Sequence, residues 1–420
     1  MSTDNNIIGK TYQTVNEIKQ LLNSSTISGA FSEIDYGWRM QTLITDRVNE
    51  MYYCVLSVYD PYADKTTYVI SGQNGKIIYS TDLKTWETSS VPSGFNSTLD
   101  GITYKINTSV SGGVTTYITT FIVAGGDSIL YTNDLTSGWT LKDVGVEVNT
   151  TLGLTPIICV SDELNTVYIA GSDSGALVFS NNLNTGWKIS YPLSSQGNPK
   201  IRFLIHTQDG FIIVANDGYI AWSNGIQTSL DNDTGVYSSV TWNVSKPGGT
   251  SNIQSISYND TNGTYVAVGD NGLIIYTQNL SSSWSTSNSG VSHSIQNVIY
   301  DKDLDLYVAA TVGGDIIMSS DLTKQWYKIG SDTVKNLQYI TYDSVNKIFV
   351  IVGDSVIAEG ISPTYITRTK IIDDVLRIQY NTSSVIMSKI QNNPYNYLGF
   401  GNWSMSFDNV SSIYTYTRLS

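Results

Sequence analysis

The sequence predicts an all-β chain folded as a seven-bladed β-propeller of four-stranded antiparallel blades, and three observations carry that expectation. The composition is one of short strands and tight turns, with 29 Tyr, 35 Gly, only 8 Pro and 14% charged residues in 420. A tryptophan-containing segment recurs in five copies, with successive Trp residues 53 (86 to 139), 48 (139 to 187) and 42 (284 to 326) apart. A second unit, two short β-runs around a polar turn, occurs in seven copies. Periods of this size fit one four-stranded blade.

The chain opens with QTVNEIKQLLN at residues 13–23, where Val15, Ile18, Leu21 and Leu22 stand at helical spacing. A helix this short is marginal in water, so it is expected to dock on the propeller or on another subunit. Residues 1–30 are accordingly read as a helical arm, 31–360 as the propeller, and 361–420 as a β-rich extension or an elaborated last blade. The N-terminus lacks the basic start and apolar run of a secretion signal, and no apolar stretch approaches the ~20 residues that span a bilayer. The expectation is a protein made in a cytoplasm, without membrane insertion.

The paired runs begin with VLSVYDPYADKTTYVISGQNG and end with YITYDSVNKIFVIVGDS, each alternating apolar and polar residues as a hairpin does. The copy ITYKINTSVSGGVTTYITTFIVAGGD is expected to carry a longer turn. The Trp segments are YSTDLKTW (Tyr79 to Trp86), YTNDLTSGW (Tyr131 to Trp139), FSNNLNTGW (Phe179 to Trp187), YTQNLSSSW (Tyr276 to Trp284) and MSSDLTKQW (Met318 to Trp326). Each is read as a third strand, a turn, and a Trp opening the fourth strand. In the fourth copy Ser223 and Trp242 are 19 apart, against 7 from Thr277 to Trp284, so about twelve residues are inserted there. In the seventh copy, VIAEG (Val356 to Gly360) has no following Trp. The segment FSEIDYGWRMQTL, whose Gly37-Trp38 repeats the Gly-Trp of the other copies, is read as the strand that completes this last blade and leaves no open edge.

The pattern Ser/Thr-x-Asp-x-x-x-x-Trp resembles the Asp-box (BNR) hairpin of sialidase-like and photosystem-assembly-type propellers, over about residues 32 to 360. Leu replaces the usual Gly after the acidic position, and Asn182 and Asn279 replace Asp. Asn still accepts backbone hydrogen bonds, so the turn should survive. Asp82, Asp134 and Asp321 are therefore read as turn builders, because one motif repeated around a ring cannot all line one site.

No catalytic set emerges from the remaining residues. A sialidase-like activity would imply an arginine cluster, a Tyr nucleophile with a Glu partner and an acid. Arg39, Arg47, Arg202, Arg368, Arg377 and Arg418 are the only arginines, and just Arg202 lies in the central repeats. His206 and His293 lack His or Cys partners at ligand spacing; His206 is expected in the core or channel, His293 in a loop. Asp301 to Asp305 and Asp231 to Gly235 are acidic turns read as solvated rather than calcium-binding. Cys54 and Cys159, in apolar runs, are expected to be buried reduced thiols. No metal, cofactor or catalytic residue is assigned.

A net charge of −13 repels phosphate backbones, so nucleic acid is not an expected partner. The Tyr/Asn/Ser/Thr-rich, Lys-poor surface points to a non-catalytic virion protein of a tailed bacteriophage, assembled in the host cytoplasm. Its expected partners are other virion proteins, copies of itself, or a host surface glycan or receptor. Trp222, Tyr219 and Tyr237 are the candidate ligand-binding residues. Two alternatives stand beside this: a sialidase-like glycosidase or polysaccharide lyase, and an assembly factor resembling the photosystem II propellers.

Overall fold

Two faces of every central strand are apolar, and that decides the architecture. The second strands Gly210–Ala215 and Thr264–Gly269 are buried at every position, so each sheet must be covered on both sides. A computed structural model describes residues 39–41, 51–111, 114–161, 166–223, 240–302, 305–329, 335–346, 348–354, 356–361, 375–379, 403–408 and 413–418. It is an all-β propeller of four-stranded antiparallel blades.

Six blades each use four consecutive strands. Blade 1 runs from Tyr52–Asp60 to Glu87–Thr88, blade 2 from Gly101–Ser111 to Thr140–Asp143, and blade 3 from Leu154–Ser161 to Lys188–Ser190. Blade 4 runs from Ile201–Thr207 to Asn243–Ser245, blade 5 from Ile253–Asn259 to Ser285–Thr286, and blade 6 from Ile295–Asp301 to Tyr327–Ile329. The contiguous repeat thus stops at six, one short of the seven expected. The other four-stranded sheet is composite: Leu337–Asp343, Ile348–Gly353 and Val356–Ile361 are joined by Arg39–Gln41, with Arg39 opposite Glu359 and Gln41 opposite Ile357. Trp38 and the predicted helix at 13–23 lie outside the described residues. A separate three-stranded sheet orders Val375–Gln379, Ile413–Arg418 and Trp403–Asp408.

Apolar clusters fill the spaces between sheets. Blades 1 and 2 share Val69, Leu99, Val123 and Leu130; blades 2 and 3 share Ile122, Leu154 and Val178. The series continues through blades 3 and 4, 4 and 5, 5 and 6, and 6 and the composite sheet. The last cluster joins Ile70 and Ile78 of blade 1 to Val350, Val352 and Ile357 of the composite sheet. Polar contacts cross the same seam: Tyr68 Oη donates to Asp343 Oδ2 at 2.6 Å and Asn346 Nδ2 to Thr66 Oγ1 at 3.1 Å. Burial acts upward on Asp343, but the bonds from Tyr68, Asn346 and two backbone N–H groups outweigh it and hold its pKa below the ordinary value.

The Trp segments form the expected turns. Asp82 Oδ1 accepts from the N–H groups of Lys84 and Thr85, both at 2.8 Å, while Ser80 Oγ accepts from Leu83 N at 2.9 Å. Asn182 and Asn279 make the same bond, from Asn184 N at 2.8 Å and Ser281 N at 2.9 Å, so the Asp-to-Asn replacements keep the turn. In five of the six contiguous blades the indole N–H then finds one of two acceptors. In blades 1 and 3 it reaches its own turn, Trp86 to Leu83 O at 3.3 Å and Trp187 to Leu183 O at 3.2 Å. In blades 2, 4 and 6 it crosses to the preceding blade: Trp139 to Ser89 Oγ at 2.8 Å, Trp242 to Ser190 Oγ at 3.3 Å, Trp326 to Ser287 Oγ at 3.0 Å. Each acceptor serine lies three residues after the Trp of its own blade. A serine at that position allows an inter-blade latch without ensuring it: Ser245 follows Trp242 by three residues, yet the buried Nε1 of Trp284 in blade 5 does not bond to it.

Two elements differ from expectation. The copy at 101–126 has longer strands rather than a longer turn, paired from Gly101↔Ala124 out to Ser111↔Val114. A short helix, Val144–Val148, follows blade 2, with Asp143 capping it through Val146 N at 2.9 Å. Its five residues are too few to show a helical period in sequence.

Where each second strand ends, the chain passes close beneath the segment that leads into the blade. Asp270 N bonds Asn252 O at 3.1 Å and Asp354 N bonds Asn336 O at 2.9 Å. A Cβ on Gly269 would lie 2.0 Å from Asn252 O, and one on Gly353 1.9 Å from Asn336 O. Both neighbours are backbone, so they cannot step aside. Gly269→Ala should destabilise the fold by about 1–3 kcal/mol, read as a lower denaturant midpoint with unchanged slope, while Gly263→Ala tests the opposite circumstance of open space at φ +74°.

Candidate functional site

The ring has two faces. The hairpin tips and Trp turns lie on one, here the tip face; the chain passes between blades on the other, the crossover face. Polar side chains collect on the crossover face through a repeated irregularity in the first strand of each blade. In blade 1, Tyr52 pairs with Gly72 and Cys54 with Ser71, leaving Tyr53 as an extra residue. The same skip isolates Arg202 in blade 4, Gln254 in blade 5, Gln296 in blade 6 and Gln338 in the composite sheet. Blade 3 sets two residues, Thr155 and Pro156, between Leu154 and Ile157, while blade 2 pairs without interruption. Such bulges re-aim a side chain out of the alternating pattern.

These residues meet a set of carboxylates and amides. Gln254 Nε2 donates to Asp270 Oδ1 at 2.8 Å, Asn252 Nδ2 to Asp270 Oδ2 at 2.8 Å, and Ser294 Oγ to Oδ1 at 2.8 Å. Gln296 Nε2 donates to Ser294 Oγ at 2.8 Å, extending the network to blade 6. Arg202 Nε donates to Asn216 Oδ1 at 2.6 Å, and Gln73 Nε2 to Tyr53 Oη at 3.3 Å. Lys200 pairs with Asp173 at 2.5 Å.

Electrostatics tie the group together across the ring. Burial pushes the carboxyl of Asp100, just before blade 2, up to about 6; Lys200 and Arg202 pull it back and Asp173 adds to the rise. Burial also acts upward on Asp270, but the three side-chain bonds and Arg202 outweigh it, and its pKa falls below the usual value. Burial and the charges of Asp100 and Asp354 raise the Tyr53 phenol against the opposing bond from Gln73. Arg202 thus acts on carboxylates of blades 2 and 5, which places it where blades converge. The result is a mouth with one guanidinium amid four carboxylates and several amides. Such a surface can hold polar and basic groups by directional bonds.

The sequence-predicted site residues fall elsewhere. Trp222 lies on the tip face, packed into the cluster between blades 4 and 5 while lining a groove there. Tyr219 lies on the other side of the same sheet, in the cluster between blades 3 and 4, with Lys246 Nζ 4.5 Å from its ring centre. The structure does not bring the two together, because strand geometry sends them to opposite faces. Tyr237 and Asp231 to Gly235 lie outside the described residues. His206 is exposed rather than in the core, with its ring 4.5 Å from Phe211, and partial burial lowers its pKa. His293 is a loop residue 3.8 Å from Asp315. Cys54 is buried and donates to Asp100 O at 2.9 Å; burial pushes its thiol well up, and that of Cys159 to about 11. Asp301 is buried and Asp305 accepts from Tyr300 Oη at 3.0 Å. Among the described residues no three His, Cys, Asp or Glu side chains gather as metal ligands do.

Sequence reasoning missed the mouth, although a signal exists. The segments IRFLI, IQSIS, IQNVI and LQYIT each place Arg or Gln directly after the first apolar residue of a first strand. That breaks a period-2 pattern at the same position in each blade.

The fold and this mouth define a β-propeller with a polar, bulge-built crossover face. No family model matches the sequence, and no curated protein does. Solved structures do resemble it. YCF48 from Cyanidioschyzon merolae superposes with a TM-score of 0.56 at 16% identity, covering 78% of this chain and 99% of that one. YCF48 bound to D1 peptide gives 0.54 at 13% identity, covering 78% and 97%. At these identities the likeness is one of fold.

The raised pKa of Asp100 fixes a pH dependence. A carboxyl whose folded pKa lies above its unfolded value of ~3.9 favours the folded state fully only below that value, and the benefit is lost as pH rises through about 6. Asp100→Asn should therefore raise stability at pH 7.5 by about 2 kcal/mol and change it little at pH 4, measured by urea unfolding at both pH values.

Proposed function

We propose that this chain is a non-catalytic propeller that grips a segment of a partner protein at its crossover-face mouth. We also infer that the ring counts seven blades, the composite sheet being the seventh and Arg39–Gln41 its closure, with the Trp turns acting as Asp-boxes. The observation that carries the binding reading is the bulge-borne set Tyr53, Arg202, Gln254, Gln296 and Gln338. Repeating a backbone irregularity in successive blades costs ladder bonds each time, and function is the usual return on such bulges. The fold likeness to a propeller seen with a bound peptide supports the same reading. The virion location expected from composition gains no support from the fold, whose solved likenesses favour the partner-gripping alternative.

The mouth selects by charge. Asp100, Asp173, Asp270 and Asp354 outnumber Lys200 and Arg202, so the bound segment is polar and carries a basic residue. The directional amides of Gln254 and Gln296 supply register rather than most of the affinity.

A random peptide library displayed on phage and selected on the purified protein tests this. Lys- or Arg-bearing peptides should be enriched, and the combined variant Arg202→Glu, Gln254→Ala, Gln296→Ala should bind them at least about tenfold more weakly with its fold intact by circular dichroism. No enrichment, or equal binding to the variant, contradicts the proposal.

A further inference from the structure

The tip face carries a second feature that the mouth does not use. Between blades 4 and 5 runs a groove of about 490 Å³ lined by Gln208, Asp209, Trp222, Asn243, Gln278 and Asn279, among others. A groove of about 480 Å³ adjoins it between blades 5 and 6, with Gln278 common to both and Tyr276 in its wall. Together they form one furrow across three blades.

We propose that this furrow is a binding site for an uncharged oligosaccharide, with Trp222 as the stacking platform. Three features of the lining point there. Side-chain amides dominate the groove beside Trp222: Gln278 Nε2 donates to Asn262 O at 3.1 Å and Asn279 Oδ1 accepts from Ser281 N at 2.9 Å. Gln278 therefore presents its oxygen and Asn279 its Nδ2 beside Gln208 and Asn243, a set of acceptors and donors that matches neighbouring hydroxyls of a sugar ring. Gln208, Asn243 and Gln278 are exposed, so they meet a ligand without rebuilding the core. Among the described residues no Lys or Arg lines either groove, which leaves an anionic ligand without a counter-charge there.

The carboxylates present are already engaged. Asp209 Oδ2 accepts from Tyr265 Oη at 2.6 Å, and Asp321 Oδ1 from Thr323 N at 3.0 Å and Thr323 Oγ1 at 2.6 Å. They therefore rim the furrow as acceptors. Trp222 is half-buried: part of its ring packs into the cluster with Ile212 and Ile256, and the remainder lines the groove. A ring fixed in this way loses little entropy when a pyranose stacks on it. The furrow has polar walls, and Trp222 supplies its aromatic platform.

The purified full chain is titrated by calorimetry and ligand-observed NMR with cellotetraose, maltotetraose, a β-galactose-terminated tetrasaccharide and its sialylated counterpart. At least one neutral tetrasaccharide should bind saturably, and the sialylated one more weakly than its neutral parent. Asn243→Ala with Gln278→Ala, both at exposed positions, should weaken binding about tenfold or more, as should Trp222→Ala. If Trp222→Ala fails to fold, the exposed double variant decides. Absence of binding to all three neutral sugars overturns the proposal, as does unchanged affinity in the double variant or tighter binding of the sialylated sugar.

Discussion

Everything in this molecule follows from sheets that are apolar on both faces. A stack of such sheets would expose an apolar face at each end, and only a ring removes both ends. The clusters described above run from sheet to sheet and return to blade 1 through Ile70, Val350 and Val352. Burial of this kind is non-directional, so it explains cohesion without fixing how one blade sits on the next. Direction comes from the polar edges. Trp139 on Ser89, Trp326 on Ser287 and Tyr68 on Asp343 each join neighbouring sheets by one aimed bond.

The same division separates scaffold from surface. Positions repeated in all or most blades, such as the turn Asp or Asn and the glycine beneath the crossover, serve the backbone and recur because the backbone recurs. Positions that vary at a repeated place are where function can be written. The bulged residue is Tyr53 in one blade, Arg202 in another and glutamine in three, so one irregularity delivers different chemistry around the mouth. On the opposite face, Trp222 and the amides around it occupy a furrow that blades 5 and 6 extend.

The repeat was legible because a buried strand needs Val, Ile, Ala and Phe at every position and a tight turn needs Asp, Asn or Gly. That pattern located the paired strands and the third strands, and it placed Asn243–Ser245 correctly despite the insertion before it. The Gly-Trp echo at Gly37-Trp38 points to the neighbourhood of Arg39–Gln41, the strand that joins the composite sheet, while Trp38 itself lies outside the described residues. What sequence did not give was side-chain direction. A bulge shifts parity by one residue, so Arg202 read as an ordinary strand position. Tyr219 and Trp222 were candidates for one site although the sheet stands between them. His206 looked internal because its run is apolar, yet its side chain is exposed.

The central proposal is that the composite sheet closes the ring as a seventh blade and shares the cohesion of the six contiguous ones. Native-state hydrogen exchange measures it directly, by comparing amides of Lys65–Gly72 and Ile348–Gly353 at the seam with those of Thr166–Ser172 and Gly210–Ala215 opposite. The account predicts one common opening free energy for all four strands. Seam strands that open several kcal/mol more easily than the strands opposite would contradict it.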